Sequence, residues 1–117
     1  MQQQLVTVLI IPARLSERIR MEQIEPAMEM CQSIVAGNVE AISGRGWHVL
    51  LNDQAIHIPL PLNPRAEVLI REAGTPLEDT VSGTAVFLGH GRSGTDQDVP
   101  GHLLSLAERL FQTRLAA

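Results

Sequence analysis

β-Branched residues and leucine run without a break from Leu5 to Ile11, and Pro12 ends the run. A continuous run of β-branched residues and leucine is typical of a strand buried on both faces, so we expect a central strand here. In the next stretch, SERIRMEQI (residues 16–24), side chains alternate between two sides of an extended chain: Ile19 and Met21 lie on one side, and Arg18, Arg20 and Glu22 on the other. This pattern predicts a half-exposed strand that forms a hairpin with the first.

Helical spacing of apolar residues begins after this pair of strands. Proline is tolerated in a first turn, so Glu25-Pro26 predicts a helix start. Gly37, followed by Asn38, predicts a left-handed stop. Cys31 lies within the apolar stripe, which predicts a buried structural thiol.

Two more helices are predicted farther along the chain. Asn63 is an expected N-cap with a proline at the first helical position, and Gly74 ends that helix. Arg65, in its first turn, is expected to face solvent. The last helix runs from about Pro100 to Thr113 and has a broad apolar face.

The segment WHVLLNDQAIHI (residues 47–58) predicts a β-hairpin. A two-residue turn at Asn52-Asp53 places apolar side chains on one face and sets His48 opposite His57 on the other. Asn-Asp is a weaker turn pair than Asn-Gly, so a register slipped by one residue stays open. Two imidazoles can begin a zinc site, but such a site needs three or four ligands. We therefore expect no metal.

The remaining segments complete the expected architecture. Residues 39–42 form a short strand followed by a turn at residues 44–46, and residues 83–88 form a second buried strand. HGRSGTDQD (residues 90–98) is expected to be a loop. The patterns predict one α+β domain (residues 1–117) with a mixed or antiparallel sheet of about five strands and three helices.

Composition narrows the function classes. The chain has 117 residues and a net charge of −4, and all nine basic residues are arginines. The negative charge argues against a general electrostatic hold on nucleic acid or an anionic membrane. With a single cysteine, no long apolar span and no signal-peptide pattern, the chain is expected to be cytoplasmic.

The stretch LGHGRSG contains a literal G-x-G-x-x-G, at Gly89, Gly91 and Gly94. In dinucleotide-binding proteins this motif joins the first strand of a βαβ unit to a helix, with an acidic residue about 20 positions on. No strand follows here, and Asp96 and Asp98 would repel a phosphate. These two aspartates suit helix capping better. No nucleotide cofactor is expected, and the lack of lysine excludes a P-loop.

The glycine-rich loop still carries candidate chemistry. Its backbone amides can bind an anion, so we predict that His90, Gly91, Arg92 and Ser93 bind a small anionic ligand. The alternative is a connection in which the glycines only make turns.

Two other groups of residues are candidates. Arg14, Arg18 and Arg20 predict a basic strip on the second strand, a candidate surface contact for an acidic partner or a phosphate; a solvated sheet face is the alternative. Near the loop, a small hydrolase or metal-dependent enzyme would use four residues. They are His90, Arg92, Asp96 and His102.

Several stretches together resemble a small uncharacterised domain of unknown function found in bacteriophage and actinobacterial genomes. The resemblance covers roughly residues 5–106, and its most specific part pairs Asn63 and Ala66 with GTAV-x-x-G (residues 83–89). The stretches are VLIIPA, VAGNVEAI, WHVLLND, NPRAEVLIREAGTPL and VSGTAVFLG. The resemblance implies an α+β fold and a phage or mobile-element setting, and it assigns no catalytic residues.

These observations favour a non-catalytic binding protein that engages a host protein or sequesters a small ligand, in the manner of phage proteins that counter host defences. The alternatives are the enzyme just described and a regulatory module that contacts nucleic acid through the arginine strip. Small domains often complete a sheet edge by self-association, so we also expect a homodimer.

Overall fold

One six-stranded antiparallel sheet organises the protein in a computed structural model that describes residues 5–54, 59–91 and 95–115. The strands are β1 (Val6–Ile11), β2 (Arg20–Ile24), β3 (Val39–Ser43), β4 (Trp47–Asn52), β5 (Ala85–His90) and β6 (Asp96–Gln97). The helices are α1 (Met28–Val35), α2 (Pro64–Glu72) and α3 (Gly101–Phe111). None of the helices in these ranges has the length and apolar character needed to cross a membrane.

The strand order is β2-β1-β5-β4-β3, and β6 pairs with β5 beyond the start of β1. The predicted α+β fold with three helices is confirmed, and β1 is a central strand as expected. The sheet has six strands because the segment predicted as a loop over residues 90–98 contains β6, which pairs Gln97 with Gly89 and Asp96 with His90.

The central strands of the sheet are buried on both faces, and β1 shows this by alternation. Val8 and Ile10 point to the face covered by α1, whereas Leu9 and Ile11 point to the face covered by α2 and α3. The second face holds the two largest buried side chains, Trp47 and Phe87, whose ring centroids are 5.9 Å apart. A continuous apolar run is therefore required in β1.

The hairpin predicted at Asn52-Asp53 is wrong. Both edges of β4 are occupied by other strands, since Val49 pairs with Ile42 of β3 and with Phe87 of β5. The hairpin that forms is β3–β4, through the expected turn at residues 44–46. The residues predicted to return along β4, including His57, fall mainly in residues 55–58, outside the described ranges.

The second strand starts later than its alternating pattern predicts. β2 begins at Arg20, and residues 12–19 form a connection that we call the β1–β2 loop. Arg14 and Arg18 lie in this loop, while Arg20 in β2 makes a salt bridge with Glu22 at 2.8 Å. The predicted arginine strip on one strand is therefore wrong.

Both ends of α1 differ slightly from the prediction. A tight turn, in which the Ala27 amide donates to the Glu25 carbonyl, delays the start to Met28. The left-handed residue after the helix is Ala36 (φ 63°), not Gly37. Gly37 is needed for close approach, because a Cβ there would collide with the side chain of Asn52.

The N-cap predicted at Asn63 is confirmed, and this residue does more than cap α2. Its Oδ1 accepts from the Ala66 amide at 3.0 Å, and its Nδ2 donates to the carbonyls of Ile11 and Gly83, both at 2.9 Å. The side chain is fully buried. Asn63 thereby fixes the start of α2 against the end of β1, where the β1–β2 loop begins.

Candidate functional site

The segment predicted to bind an anion begins at His90, the last residue of β5, and His90 and Gly91 are its described residues. The amide of His90 donates to the Gly46 carbonyl at 3.1 Å, and the amide of Gly91 donates to the Thr95 carbonyl at 2.9 Å. Because these two amides already have acceptors, they are not available to a ligand. Arg92 and Ser93 lie outside the described residues.

Folding brings His48 and His90 together with Asp96 on the α1 face of the sheet. His48 Nε2 lies 3.3 Å from Asp96 Oδ1, and the two imidazole centroids are 5.5 Å apart in an edge-on arrangement. Sequence reasoning placed His90 near Asp96 but assigned His48 to another partner. His48 of β4 meets Asp96 of β6 because both strands pair with β5.

Burial controls the acid–base properties of this cluster. The side chain of His48 is 12% exposed, and burial lowers its pKa below the ordinary 6.5, although the Asp96 carboxylate opposes that shift. The neighbouring His90 lowers it further. Cys31 is buried, as predicted, and burial followed by the field of Asp96 raises the pKa of its thiol.

The cluster contains parts of a catalytic constellation without a complete set. Ser43 is the cross-strand partner of His48, but no hydrogen bond joins the two within the described residues. In the same ranges, no group of three or more histidine, cysteine or acidic residues is arranged to hold a metal ion. His102 of the alternative enzyme site lies exposed in the first turn of α3 and makes no described contact with the cluster.

Asp96 and Asp98 do not cap α3, contrary to the prediction. Pro100 occupies the N-cap position, and no side chain caps the helix. Asp98 instead accepts from the Thr7 amide at 2.7 Å, which secures β1 to the segment after β6. Both carboxylates line a cavity of about 420 Å³ between β6 and the start of β1. Two carboxylates make this end of the sheet unfavourable for an anion.

Arg65 does not face solvent, and this prediction is also wrong. The side chain is half-buried, and its Nη2 lies 2.8 Å from the Pro12 carbonyl, 3.0 Å from that of Arg14 and 2.9 Å from that of Glu17. One guanidinium therefore holds the β1–β2 loop in shape. Its Nε is buried and has no hydrogen-bond acceptor in the described residues.

Within the part of the chain that the structure describes, the positive charge of Arg65 lacks a direct counter-ion. Among the described residues, no carboxylate oxygen lies within 4.0 Å of its guanidinium. Burial lowers the pKa of Arg65, and the more distant Glu17 carboxylate opposes this shift. Charges removed from water are normally paired, so Arg65 is a position where an anion would be stabilised.

A cavity of about 400 Å³ opens beside this guanidinium, between the β1–β2 loop and the end of α3. We call it the Arg65 cavity. Its charged residues are Arg65, Arg18 and Glu17, which gives one more positive than negative charge in a protein whose net charge is −4. The rest of the lining is Leu15, Ile19, Phe111, Gln112 and Thr113.

Sequence reasoning missed the Arg65 cavity, although one signal pointed towards it. Side chains in a helix lean towards its N-terminus, so a long side chain at the second position of α2 reaches back over the preceding backbone. The length and donors of arginine suit that reach. Which backbone lies there depends on contacts 48 to 53 residues away in sequence, and the local pattern does not contain them.

Comparisons with known proteins identify a family and a fold. Residues 6–112 match the family model described as a domain of unknown function, DUF3846. This confirms the expected uncharacterised domain; its phage or actinobacterial origin stays a prediction. A search of curated proteins finds no match.

Among solved structures, the chain is similar to one described as the crystal structure of small RNA methyltransferase HEN1. The TM-score is 0.59 at 13% identity, and the match covers 92% of this chain. It spans only 16% of the other chain, and at this identity the likeness shows the fold alone.

Proposed function

The chain belongs to the DUF3846 family, and we propose that it is a non-catalytic binding protein that takes a small anionic ligand in the Arg65 cavity. One observation carries the proposal: a half-buried guanidinium without a carboxylate partner in the described residues adjoins a cavity of about 400 Å³. That size falls within the range of about 300–1,000 Å³ found for small-molecule sites. Sequestering a small ligand needs no catalytic group.

The location of this site differs from that expected from the sequence. At the β5–β6 hairpin, two amides are already bonded and two carboxylates lie near. At the Arg65 cavity, the guanidinium of Arg18 adds a second positive charge on an exposed side chain. The electrostatics therefore favour the Arg65 cavity for an anion. A phage or mobile-element setting with a role against host defences remains part of the proposal and rests on the family resemblance.

Native mass spectrometry of protein purified from a bacterial host, with no ligand added, tests the proposal. We expect an additional mass on the wild-type protein that is lost on gentle activation and is reduced in Arg18→Gln. Arg45→Gln is the matched control, because Arg45 is an exposed arginine in the β3–β4 turn at the opposite end of the sheet. A bare polypeptide mass for the wild type, or equal loading of all three proteins, would contradict it.

A second candidate function is proton-transfer chemistry at His48. The specific observation is that Asp96 lies 3.3 Å from its imidazole while Ser43 is its cross-strand neighbour. A base oriented by a carboxylate beside a hydroxyl is the arrangement of serine hydrolases. Labelling by a fluorophosphonate that is lost in Ser43→Ala and in His48→Gln would establish it. Unlabelled wild-type protein would exclude this nucleophile.

The expected homodimer stays a prediction. Within the described ranges, no strand pairs with the outer edge of β3, whereas the outer edge of β2 carries the Arg20–Glu22 salt bridge. β3 carries one charged residue, Glu40, and no described salt bridge, and a less charged edge favours pairing with another strand, which makes β3 the expected interface. Light scattering at several protein concentrations would detect the dimer.

A further inference from the structure

We infer that the ligand of the Arg65 cavity is a monocarboxylate with an apolar body, rather than a phosphorylated molecule. The inference rests on the proposed function and adds the chemical class of the ligand. Three features of the cavity carry it: its charge balance, its apolar wall and the helix end that borders it.

The charge balance favours a single negative charge. Arg18 and Arg65 are opposed by Glu17, so one positive charge is left over among the lining residues. A carboxylate balances that excess, whereas a phosphate monoester carries about −1.5 to −2 at pH 7. The second charge of a phosphate would have no counterpart and would face the carboxylate of Glu17.

The end of α3 also favours a ligand with a single negative charge over one with two. Phe111 is the last residue of this helix, and both it and Gln112 line the cavity. The unbonded carbonyls at a helix C-terminus give it a partial negative charge, which is unfavourable for nearby anions. This field disfavours a dianion more than a monoanion. Phosphate sites usually have the opposite arrangement, with a helix N-terminus facing the ligand.

Apolar side chains form the other wall. Leu15 is 70% exposed at the tip of the β1–β2 loop, and Ile19 and Phe111 are partly buried against the core. Leucine in such an exposed position gains stability when an apolar body covers it. A ligand with one carboxylate and an aliphatic or aromatic body therefore matches both walls at once.

The β1–β2 loop keeps this geometry fixed before a ligand arrives. Three backbone carbonyls of the loop and its flank converge on Arg65 Nη2, and the Glu17 amide donates to the Arg14 carbonyl at 3.0 Å. Leu15 and Arg18 are carried on that loop. A prearranged site loses less conformational entropy on binding than a mobile one.

Isothermal titration calorimetry with three matched probes tests the inference at pH 7.5. The probes are 4-phenylbutanoate, its neutral amide 4-phenylbutanamide, and phenyl phosphate. We expect 4-phenylbutanoate to bind at least about tenfold more tightly than either of the others, in line with the strength of hydrogen bonds to charged groups. Arg18→Gln should weaken its binding by about tenfold, while Arg45→Gln should leave it unchanged.

The outcomes separate the inference from the proposed function. Phenyl phosphate binding as tightly as 4-phenylbutanoate, or more tightly, would overturn the monocarboxylate and leave an anion site in the Arg65 cavity. The amide binding as tightly as the carboxylate, or none of the probes binding, would overturn both. Circular dichroism checks that the two variants are folded, which we expect because both arginines are exposed and make no described hydrogen bond.

Discussion

Nη2 of Arg65 lies 2.9 Å from the backbone carbonyl oxygen of Glu17, although 48 residues separate the two in sequence. This contact shapes the β1–β2 loop and at the same time draws a guanidinium partly out of water. The side-chain carboxylate of Glu17 supports the charge only from a distance. Arg65 thus combines structural hydrogen bonds with a charge that no carboxylate in the described ranges pairs directly.

Replacing Arg65 with lysine should destabilise the protein. Nη2 alone makes all three carbonyl contacts, and the shorter lysine side chain cannot carry its ammonium to that position, so we expect the free energy of unfolding to fall by about 2 kcal/mol. Urea unfolding measures the change. Arg71→Lys, on the exposed side of the same helix, is the control and should stay within about 0.5 kcal/mol of wild type. Equal effects of the two substitutions would show that the Arg65 contacts add nothing to stability.

Replacing Asn63 with alanine should lower the free energy of unfolding by more than Arg65→Lys does. The substitution removes the cap of α2, worth about 1 kcal/mol, and leaves two buried carbonyls without this donor, at about 1 kcal/mol each. Chemical denaturation should therefore show a loss of about 3 kcal/mol. Asn38→Ala serves as the control, because Asn38 is exposed between α1 and β3 and its described side-chain contact is a long one, 3.5 Å from Gln32 Nε2. A loss below 1 kcal/mol for Asn63→Ala would mean that water or a local shift replaces its hydrogen bonds.

The β5–β6 pairing requires a glycine at position 89. A Cβ there would collide with the backbone carbonyl oxygen of Asp98, which cannot move without separating β6 from β5. We expect Gly89→Ala to lower the free energy of unfolding by about 2 kcal/mol or more. Gly101→Ala meets no atom within 4 Å and should be neutral or slightly stabilising. Thermal denaturation measures the stability of both variants. Equal stability of Gly89→Ala and Gly101→Ala would contradict the close packing of Gly89 against Asp98.

Stability should fall as the pH drops through the titration range of His48. Its folded pKa lies below the ordinary 6.5 because of burial, so the unfolded chain binds a proton more readily. The stabilisation is present above pH 6.5 and is lost as the pH falls from 6.5 towards the lower folded pKa. Urea unfolding at pH 7.5, 6.5 and 5.5 should show this loss in wild type and in His102→Gln, and less of it in His48→Gln. An unchanged profile in His48→Gln would assign the pH dependence to other groups.

Local patterns predicted the parts of this fold that depend on neighbours in sequence. The Asn63 cap follows from residues three positions apart, and the burial of β1 on both faces follows from its own composition. The prediction of the partner of β4 was wrong because several strands have a compatible apolar face, and the choice between them depends on the whole sheet. β4 forms its hairpin through the turn at residues 44–46 and not through Asn52-Asp53, because β3 and β5 occupy both of its edges.

The candidate site was harder to predict for the same physical reason. Arg65 and the His48–Asp96 pair obtain their partners from segments about 50 residues distant. A charged side chain in a first helical turn is usually solvated, and only the position of the β1–β2 loop makes Arg65 different. Its lack of a carboxylate partner becomes visible only once the neighbours are in place.

The most direct test of the anion site is the NMR signal of the arginine Nε–H groups during a titration with 4-phenylbutanoate. We expect the Arg65 and Arg18 signals to move together and saturate, while the Arg45 signal stays in place. Arginine signals that stay unchanged at saturating probe, or backbone amide signals that move only at His90 and Gly91, would contradict binding in the Arg65 cavity.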